Sequence, residues 1–254
     1  MRVASLAVYP LKGAAAVGAQ EIELDEMGPR EDRRYCLARP GGHAFTQRDD
    51  PGLARLRVSR SAERLHIEFD GESLEVPPEA FVRSAVVRVW SRDAEVRLAG
   101  GAFGAVFARW FRTPLELARL ERPVQRRGAS LALGDAAALL VVNTASLDAL
   151  NEAMAEPVPM ARFRPNIVVA GASAFDADSW TRLRMGDAVL TPEHACGRCE
   201  VTTIDQDLGT ALGEEPLRTL ARMRMRDGEP VFGVRYSVQR PGRIRVGDRI
   251  EPLA

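Results

Sequence analysis

The residues most able to do chemistry lie in one stretch, His194-Ala195-Cys196-Gly197-Arg198-Cys199-Glu200-Val201-Thr202-Thr203-Ile204-Asp205. Two of the three cysteines fall here, three positions apart, with an arginine between them. A guanidinium beside a thiol favours the thiolate, the form that attacks electrophiles and ligates soft metals. Zinc would need four ligands, usually two such pairs, and only His194 and Cys36 are at hand to complete the set. A dithiol redox site belongs in a βαβ setting, which does not surround this pair. Taken alone, Cys196 reads as a small buried neighbour and Cys36 as a core residue of a strand. His43 and His66 alternate with apolar residues and read as surface or half-buried.

Four further clusters put cations or a helix start at strand ends. They are Tyr9-Pro10-Leu11-Lys12-Gly13, Glu31-Asp32-Arg33-Arg34-Tyr35, the helix start at Thr144 and Ser146, and Arg162-Phe163-Arg164-Pro165-Asn166. Arginine grips phosphate bidentately, and a helix start offers free N–H groups and partial positive charge. Taken singly, each arginine reads as a surface or ion-pair residue. Lys12 is the only lysine among 35 basic residues. GC-rich codon usage accounts for the arginine bias, yet a site needing a compact ammonium would look the same.

The elements that must position these groups follow from periodicity. Leu6 and Val8, Ile22 and Leu24, and Leu65, Ile67 and Phe69 alternate with polar neighbours as strands do. Turn signals at Met27-Gly28-Pro29, Pro40-Gly41-Gly42, Asp70-Gly71 and Pro77-Pro78 separate them. This spacing suits an antiparallel barrel or sandwich. A helix is predicted from Ala102 to Arg112, with Phe103, Val106, Phe107 and Trp110 on one face and Pro114 beyond its end. Leu115 to Leu120 reads as a strand and 121–128 as a linker. Then come the apolar run Leu139–Val142, a helix with Leu147, Leu150 and Met154 on one face and Ser or Thr as its cap, and a buried strand at Ile167–Gly171. Arg184–Leu190 and Arg245–Glu251 both read as strand, Gly-Asp turn, strand. Arg222–Gly228 reads as a basic helix end or loop with a solvated face.

Composition narrows the class. A chain of 254 residues that is 46% hydrophobic has ample material for a packed core. Acidic and basic residues balance at 35 each, which argues against a polyanion-binding protein. No apolar run spans a bilayer, and the N-terminus lacks the sustained apolar stretch of a signal peptide. Cytoplasmic residence with reduced thiols is the default expectation, with neither nucleic acid nor membrane as a partner.

In order along the chain stand Tyr-Pro-Leu-Lys-Gly, Asp-Arg-Arg-Tyr, Phe45-Thr46-Gln47-Arg48, Phe-Arg-Pro-Asn-Ile-Val-Val, Asp178-Ser179-Trp180, Gly-Asp and Cys-Gly-Arg-Cys-Glu-Val-Thr-Thr-Ile-Asp. This series resembles the MOSC-domain proteins that carry a MOSC N-terminal β-barrel domain, among them the mitochondrial amidoxime reducing component and its bacterial relatives. The resemblance covers essentially the whole chain. It implies a mainly β fold with a few helices (α+β), an N-terminal β-barrel domain over residues 1–122 and a MOSC-type β-barrel body over 123–254. It also implies a molybdenum cofactor (molybdenum–molybdopterin), one metal ion held by the dithiolene of a pterin with an anchored phosphate.

Carried over by position, Cys199 is the thiolate ligand to molybdenum, and a soft thiolate suits a metal already bonded to sulfur. Lys12, Arg33, Arg164 and Asn166 hold the pterin and its phosphate, with Thr144 or Ser146 contributing from the helix start. Asp205 faces the substrate or orders the surroundings of the ligand. The expected activity is reduction of small N-hydroxylated compounds, with electrons from a separate iron–sulfur, flavin or haem protein. Gly13 stands where relatives often have serine. The iron–sulfur domain of some bacterial relatives and the membrane anchor of mitochondrial ones are expected to be absent. Two other readings attach to the same residues: a sulfur-carrier or cofactor-delivery protein using a Cys199 persulfide, and a pyridoxal-phosphate-binding protein with a Schiff base on Lys12.

Overall fold

The computed structural model describes residues 1–61, 64–126, 129–134 and 137–253. The run Leu139–Asn143 shows how the fold is built. It is apolar without alternation because both of its faces are covered. Leu139 and Val141 enter one core with Val3, Leu6, Ile167 and Tyr236. Leu140 and Val142 enter another on the opposite face with Leu150, Phe163, Leu220 and Phe232.

The sheet around this strand has nine members. Its path runs Val17–Ala19, Arg2–Val8, Ile167–Ala170, Leu139–Asn143, Glu229–Arg240, Ala188–Gly197, Arg182–Met185, Ile250–Leu253, with Met225–Arg226 paired off the side. Only the central pair, Leu139–Asn143 with Ile167–Ala170, is parallel, and the helix Thr144–Glu152 lies on the crossover between them. The first strand of the chain thus sits beside strands from its second half.

A second sheet is drawn from earlier residues. It runs Phe81–Val89, Arg92–Ala99, Glu116–Leu120, Tyr35–Ala38, Ala44–Phe45. A three-stranded meander, Arg57–Ser61, Arg64–Phe69, Glu72–Val76, stands beside it. Leu11, Phe45, Leu53, Ile67, Phe107 and Leu117 form a core here. The mainly β architecture with three α-helices among the described residues matches the expected class. No helix among the described residues is long and apolar enough to cross a membrane.

The expected helix forms over Gly101–Phe111 and buries Phe107 and Phe111. Left-handed Arg112 stops it before Pro114. Other details depart from the sequence pattern. The residue capping Thr144–Glu152 is Asn143, whose side chain accepts from the Ser146 amide, so neither Thr144 nor Ser146 is the cap. Asparagine serves as well there. Part of the expected linker is a strand, Val124–Arg126, paired with Ala129–Leu131; Arg127 and Gly128 lie outside the described residues. Of the two Gly-Asp corners, only Arg182–Met185 and Ala188–Gly197 close on each other as a hairpin. Gly242–Arg245 and Ile250–Leu253 diverge to separate partners, Glu21–Asp25 and Arg182–Met185.

One glycine holds the middle of the large sheet. Gly233 lies in Glu229–Arg240 at φ 78°, and a Cβ there would come within 2.5 Å of Val142 Cγ1 and 2.9 Å of Val141 O. Left-handed strain and overpacking add at this position. Gly233→Ala is expected to lower unfolding free energy by about 2–4 kcal/mol in urea denaturation. A loss under about 0.5 kcal/mol, the ordinary level for a surface change, would contradict this packing.

Candidate functional site

Several elements end at one place. Arg2–Val8 finishes there, and Ile167–Ala170 and Leu139–Asn143 begin there. Arg235 of Glu229–Arg240 lies opposite both Leu140 and His194, and Ala188–Gly197 delivers Cys196 at its far end. Together with Lys12, Arg48 and the segment after Cys196, these residues line a cavity of about 130 Å³.

The wall is strongly positive. Lys12, Arg33, Arg48, Arg164, Arg198 and Arg235 all line it, with no Asp or Glu among the described lining residues. Of the residues singled out in the sequence, Lys12, Arg33, Arg164, Asn166 and Cys199 come together on this wall. Lys12 is buried, its amide bound to Tyr35 O. Cys199 is half-buried and opens the short helical turn Glu200–Thr203.

Arg33 and Arg164 are held alike. Both adopt left-handed backbone, at φ 49° and 53°, a conformation that costs a non-glycine residue of order 1–3 kcal/mol. For Arg164 this places it against the usual preference of a residue before proline. The Arg164 guanidinium donates to Gln206 Oε1 at 2.8 Å and Ala14 O at 2.7 Å. The Arg33 guanidinium pairs with Asp32, a carboxylate 2% exposed. Asp32 Oδ1 also accepts from the Tyr9 and Asn166 side, at 2.9 Å each from Tyr9 N and Asn166 Nδ2.

Asn166 spends its whole amide inside the protein. Its Oδ1 accepts from Leu140 N at 3.2 Å and lies 3.4 Å from Arg33 Nη1, while Nδ2 donates to Ala7 O and Asp32. It fixes Arg33 and the strand ends.

The remaining expected site residues stand elsewhere. Thr144 and Ser146 are not on the cavity wall. Ser146 Oγ donates to Asn143 Oδ1 and accepts from Phe175 N, so the helix start is closed by the protein itself. Asp205 also lies outside the wall. Its Oδ1 caps the next turn, accepting from Leu208 N at 2.9 Å and Asp207 N at 3.0 Å, while Oδ2 faces Arg162. The Leu208 amide, helped by Asp207 N–H and Arg162, holds this carboxyl below its usual range. Asp205 therefore orders the loop after Cys199.

Cys196 is more than a buried neighbour. Its sulfur, 3% exposed at the residue level, accepts from Arg198 Nη1 at 2.9 Å and Arg235 Nε at 3.2 Å. Burial pushes this thiol up, but the two guanidiniums outweigh it and set the pKa below the ordinary value. Cys36, fully buried in Tyr35–Ala38, is pushed up to about 12 by burial.

Sequence reasoning passed over Asp32, Arg162, Gln47, Gln206 and Arg235 as site residues. Arg162, 5% exposed, donates to Thr203 O at 2.8 Å and so pins the turn after Cys199. Gln47 and Gln206 bond each other at 3.0 Å and link Gly13 O to Arg164. Asp32, Arg162 and Gln47 stand inside clusters and motifs quoted from the sequence, though none was given a role there; nothing around Arg235 in the sequence marks it.

Residues 1–116 match the MOSC N-terminal beta barrel domain and residues 128–251 match the MOSC domain. Mitochondrial amidoxime-reducing component 1 of Xenopus laevis is 30% identical over 98% of this chain and 81% of its own length. The chain belongs to this family of MOSC-domain proteins. Mitochondrial amidoxime reducing component 2 is likewise 30% identical in Bos taurus and Homo sapiens, over 98% of this chain and 82% of each relative. The YUAD protein of Bacillus subtilis, a solved structure, aligns over 98% of this chain and 93% of its own at 15% identity and TM-score 0.48, too loose a likeness to carry an argument.

These names correct one expectation and weaken another. The relatives are designated mitochondrial, so the default of cytoplasmic residence does not stand. None of the names supports pyridoxal phosphate. In this MOSC-domain protein Lys12 is one cation of a set of six on the wall.

The cavity fits a phosphate-bearing pterin with a thiolate-ligated metal. It offers several cations, a half-buried thiol, and on Arg198 a buried Nε that lacks any partner. An orphaned buried donor on a cavity wall leaves one hydrogen bond for a bound acceptor or a water.

Two expectations follow. Glycine tolerates the left-handed region that alanine does not. Arg33→Gly is therefore expected to be about 1 kcal/mol more stable than Arg33→Ala, read by thermal melts; equal melts would contradict strain there. Cys196, with its folded pKa below the unfolded value, contributes stability that is present above the unfolded pKa of about 8.5 and lost as pH falls through the folded value. The gap in unfolding free energy between wild type and Cys196→Ala should narrow as pH drops below 8.5. A gap that is constant with pH would refute the two-arginine thiolate.

Proposed function

We propose that this MOSC-domain protein is a molybdenum-cofactor-dependent reductase of N-hydroxylated compounds. The observation that carries this reading is the meeting of Cys199 with Lys12, Arg33 and Arg164 on one cavity wall. The relatives named as amidoxime-reducing components, aligned over nearly the whole chain, support it.

In this reading Cys199 supplies the protein's thiolate to the metal. Lys12, Arg33 and Arg164 bind the phosphate, where charge-assisted hydrogen bonds are strongest. Asn166 and Asp32 keep Arg33 aimed. Arg162, through the Thr203 carbonyl, and Asp205, through its turn, fix the segment that presents Cys199. When bound, the cofactor supplies the two electrons that, with two protons, turn an N–OH group into N–H and water. A separate electron-donor protein of the iron–sulfur, flavin or haem type must restore those electrons. The word component in the relatives' names agrees with such a division.

Protein made in a host competent for molybdopterin synthesis is expected to carry molybdenum and yield a pterin oxidation product. Cys199→Ala should lose amidoxime reduction by more than about 100-fold, beyond the cost of losing an outer partner of a metal ligand. Arg164→Ala should retain about tenfold less molybdenum per chain, as expected for a lost charged hydrogen bond. Wild-type activity in Cys199→Ala, or a metal-free Cys199 persulfide seen by mass spectrometry, would refute the assignment.

A further inference from the structure

The Tyr9 side chain touches both left-handed arginines of the cavity. The Arg33 Cζ lies 4.6 Å from its ring centroid and the Arg164 Cζ 4.3 Å. The phenol is 2% exposed, and its hydroxyl donates to Pro165 O at 3.1 Å, just after Arg164. Its own amide donates to Asp32 Oδ1 at 2.9 Å, and its carbonyl accepts from Arg33 N at 2.7 Å. Ring, hydroxyl, amide and carbonyl thus all bear on the two arginines or on the residues next to them.

The physical problem is plain. Two like charges must stay close, each on a strained backbone, whether or not an anion lies between them. An aromatic face carries negative potential and attracts a guanidinium that lies over it. Burial pushes the phenol pKa up, so the hydroxyl keeps its proton and remains a donor.

We propose that Tyr9 is the positioning residue of the phosphate cradle, holding Arg33 and Arg164 ready through its ring. This rests on the cavity being the seat of a phosphate-bearing ligand. Tyr9 does not touch the reacting atoms. It removes the need for the ligand itself to gather the two guanidiniums, which lowers the cost of binding.

The test uses the full chain purified from a host unable to make molybdopterin, with inorganic pyrophosphate as probe in calorimetric titrations. Tyr9→Phe keeps the ring and loses only the hydroxyl bond, so its affinity should stay within about tenfold of wild type. From that variant, mono-, di- and trifluorophenylalanine at the same position drain the ring's negative face at nearly constant volume. Affinity should fall stepwise, by about tenfold across the series, or about 1.4 kcal/mol, with every variant folded at the titration temperature by circular dichroism. A flat series overturns the proposal, as does wild-type protein that does not bind pyrophosphate. A falling series in a protein that never acquires molybdenum from a competent host would sink the reductase reading and leave Tyr9 in its role.

Discussion

The structure depends on keeping like charges together. Lys12 and five arginines face one small cavity, and their mutual repulsion grows as water is excluded. The protein answers with fixed dipoles and a few anions. Asp32 takes Arg33, the carbonyls of Ala14 and Phe163 take Arg164 and Arg198, and the Cys196 sulfur takes Arg198 and Arg235. Of these partners Asp32 and Ala14 stand off the wall, while Phe163 and Cys196 share it, and no Asp or Glu is among the described lining residues. The open side of the cavity therefore stays positive, the condition that selects an anionic ligand.

The large sheet makes this arrangement possible. Its central strands are covered on both faces, so the strands are rigid and their ends are the natural places for polar groups. Adjacent strand ends bring Tyr9, Arg164, Asn166 and Cys196 to one rim although they are far apart in the chain. The earlier residues add Lys12, Gln47 and Arg48 from the other side. Arg48 also reaches Glu200, next to Cys199, and lies over the Trp90 ring at 4.1 Å, which ties the tip of the Phe81–Val89 and Arg92–Ala99 hairpin to the mouth of the site. The polar links across the cavity are short and mutually dependent, as buried networks must be.

The two cysteines of the pair show how environment divides identical side chains. Cys196 lies buried between two guanidiniums on the wall, whereas Cys199 stands half-buried at the head of a turn. The turn is fixed from outside by Arg162 and Asp205. Cys36, in the core of the other sheet, shows the opposite limit, where burial outweighs the pull of Lys12 and pushes the thiol up. Spacing alone treats the members of the pair alike; only their neighbours separate them.

Much of this was legible in the chain. Alternation located the strands because a half-buried strand must alternate, and the helix at Gly101–Phe111 followed from its apolar face. The motifs resembling MOSC-domain proteins also pointed to Lys12, Arg33, Arg164, Asn166 and Cys199, which meet on one wall. Sequence could not tell that Asn166 spends its amide on Ala7, Leu140 and Asp32, that Ser146 and Asp205 are consumed by local turns, or that Arg235 faces a sulfur. A residue's type and local pattern determine what it is able to do, and these were fixed by the sequence. Which partner it meets depends on strand pairing and on left-handed turns such as those at Arg33 and Arg164. Those are settled by contacts between distant parts of the chain, so the tertiary structure alone decided how the cations, the thiols and Tyr9 are shared out.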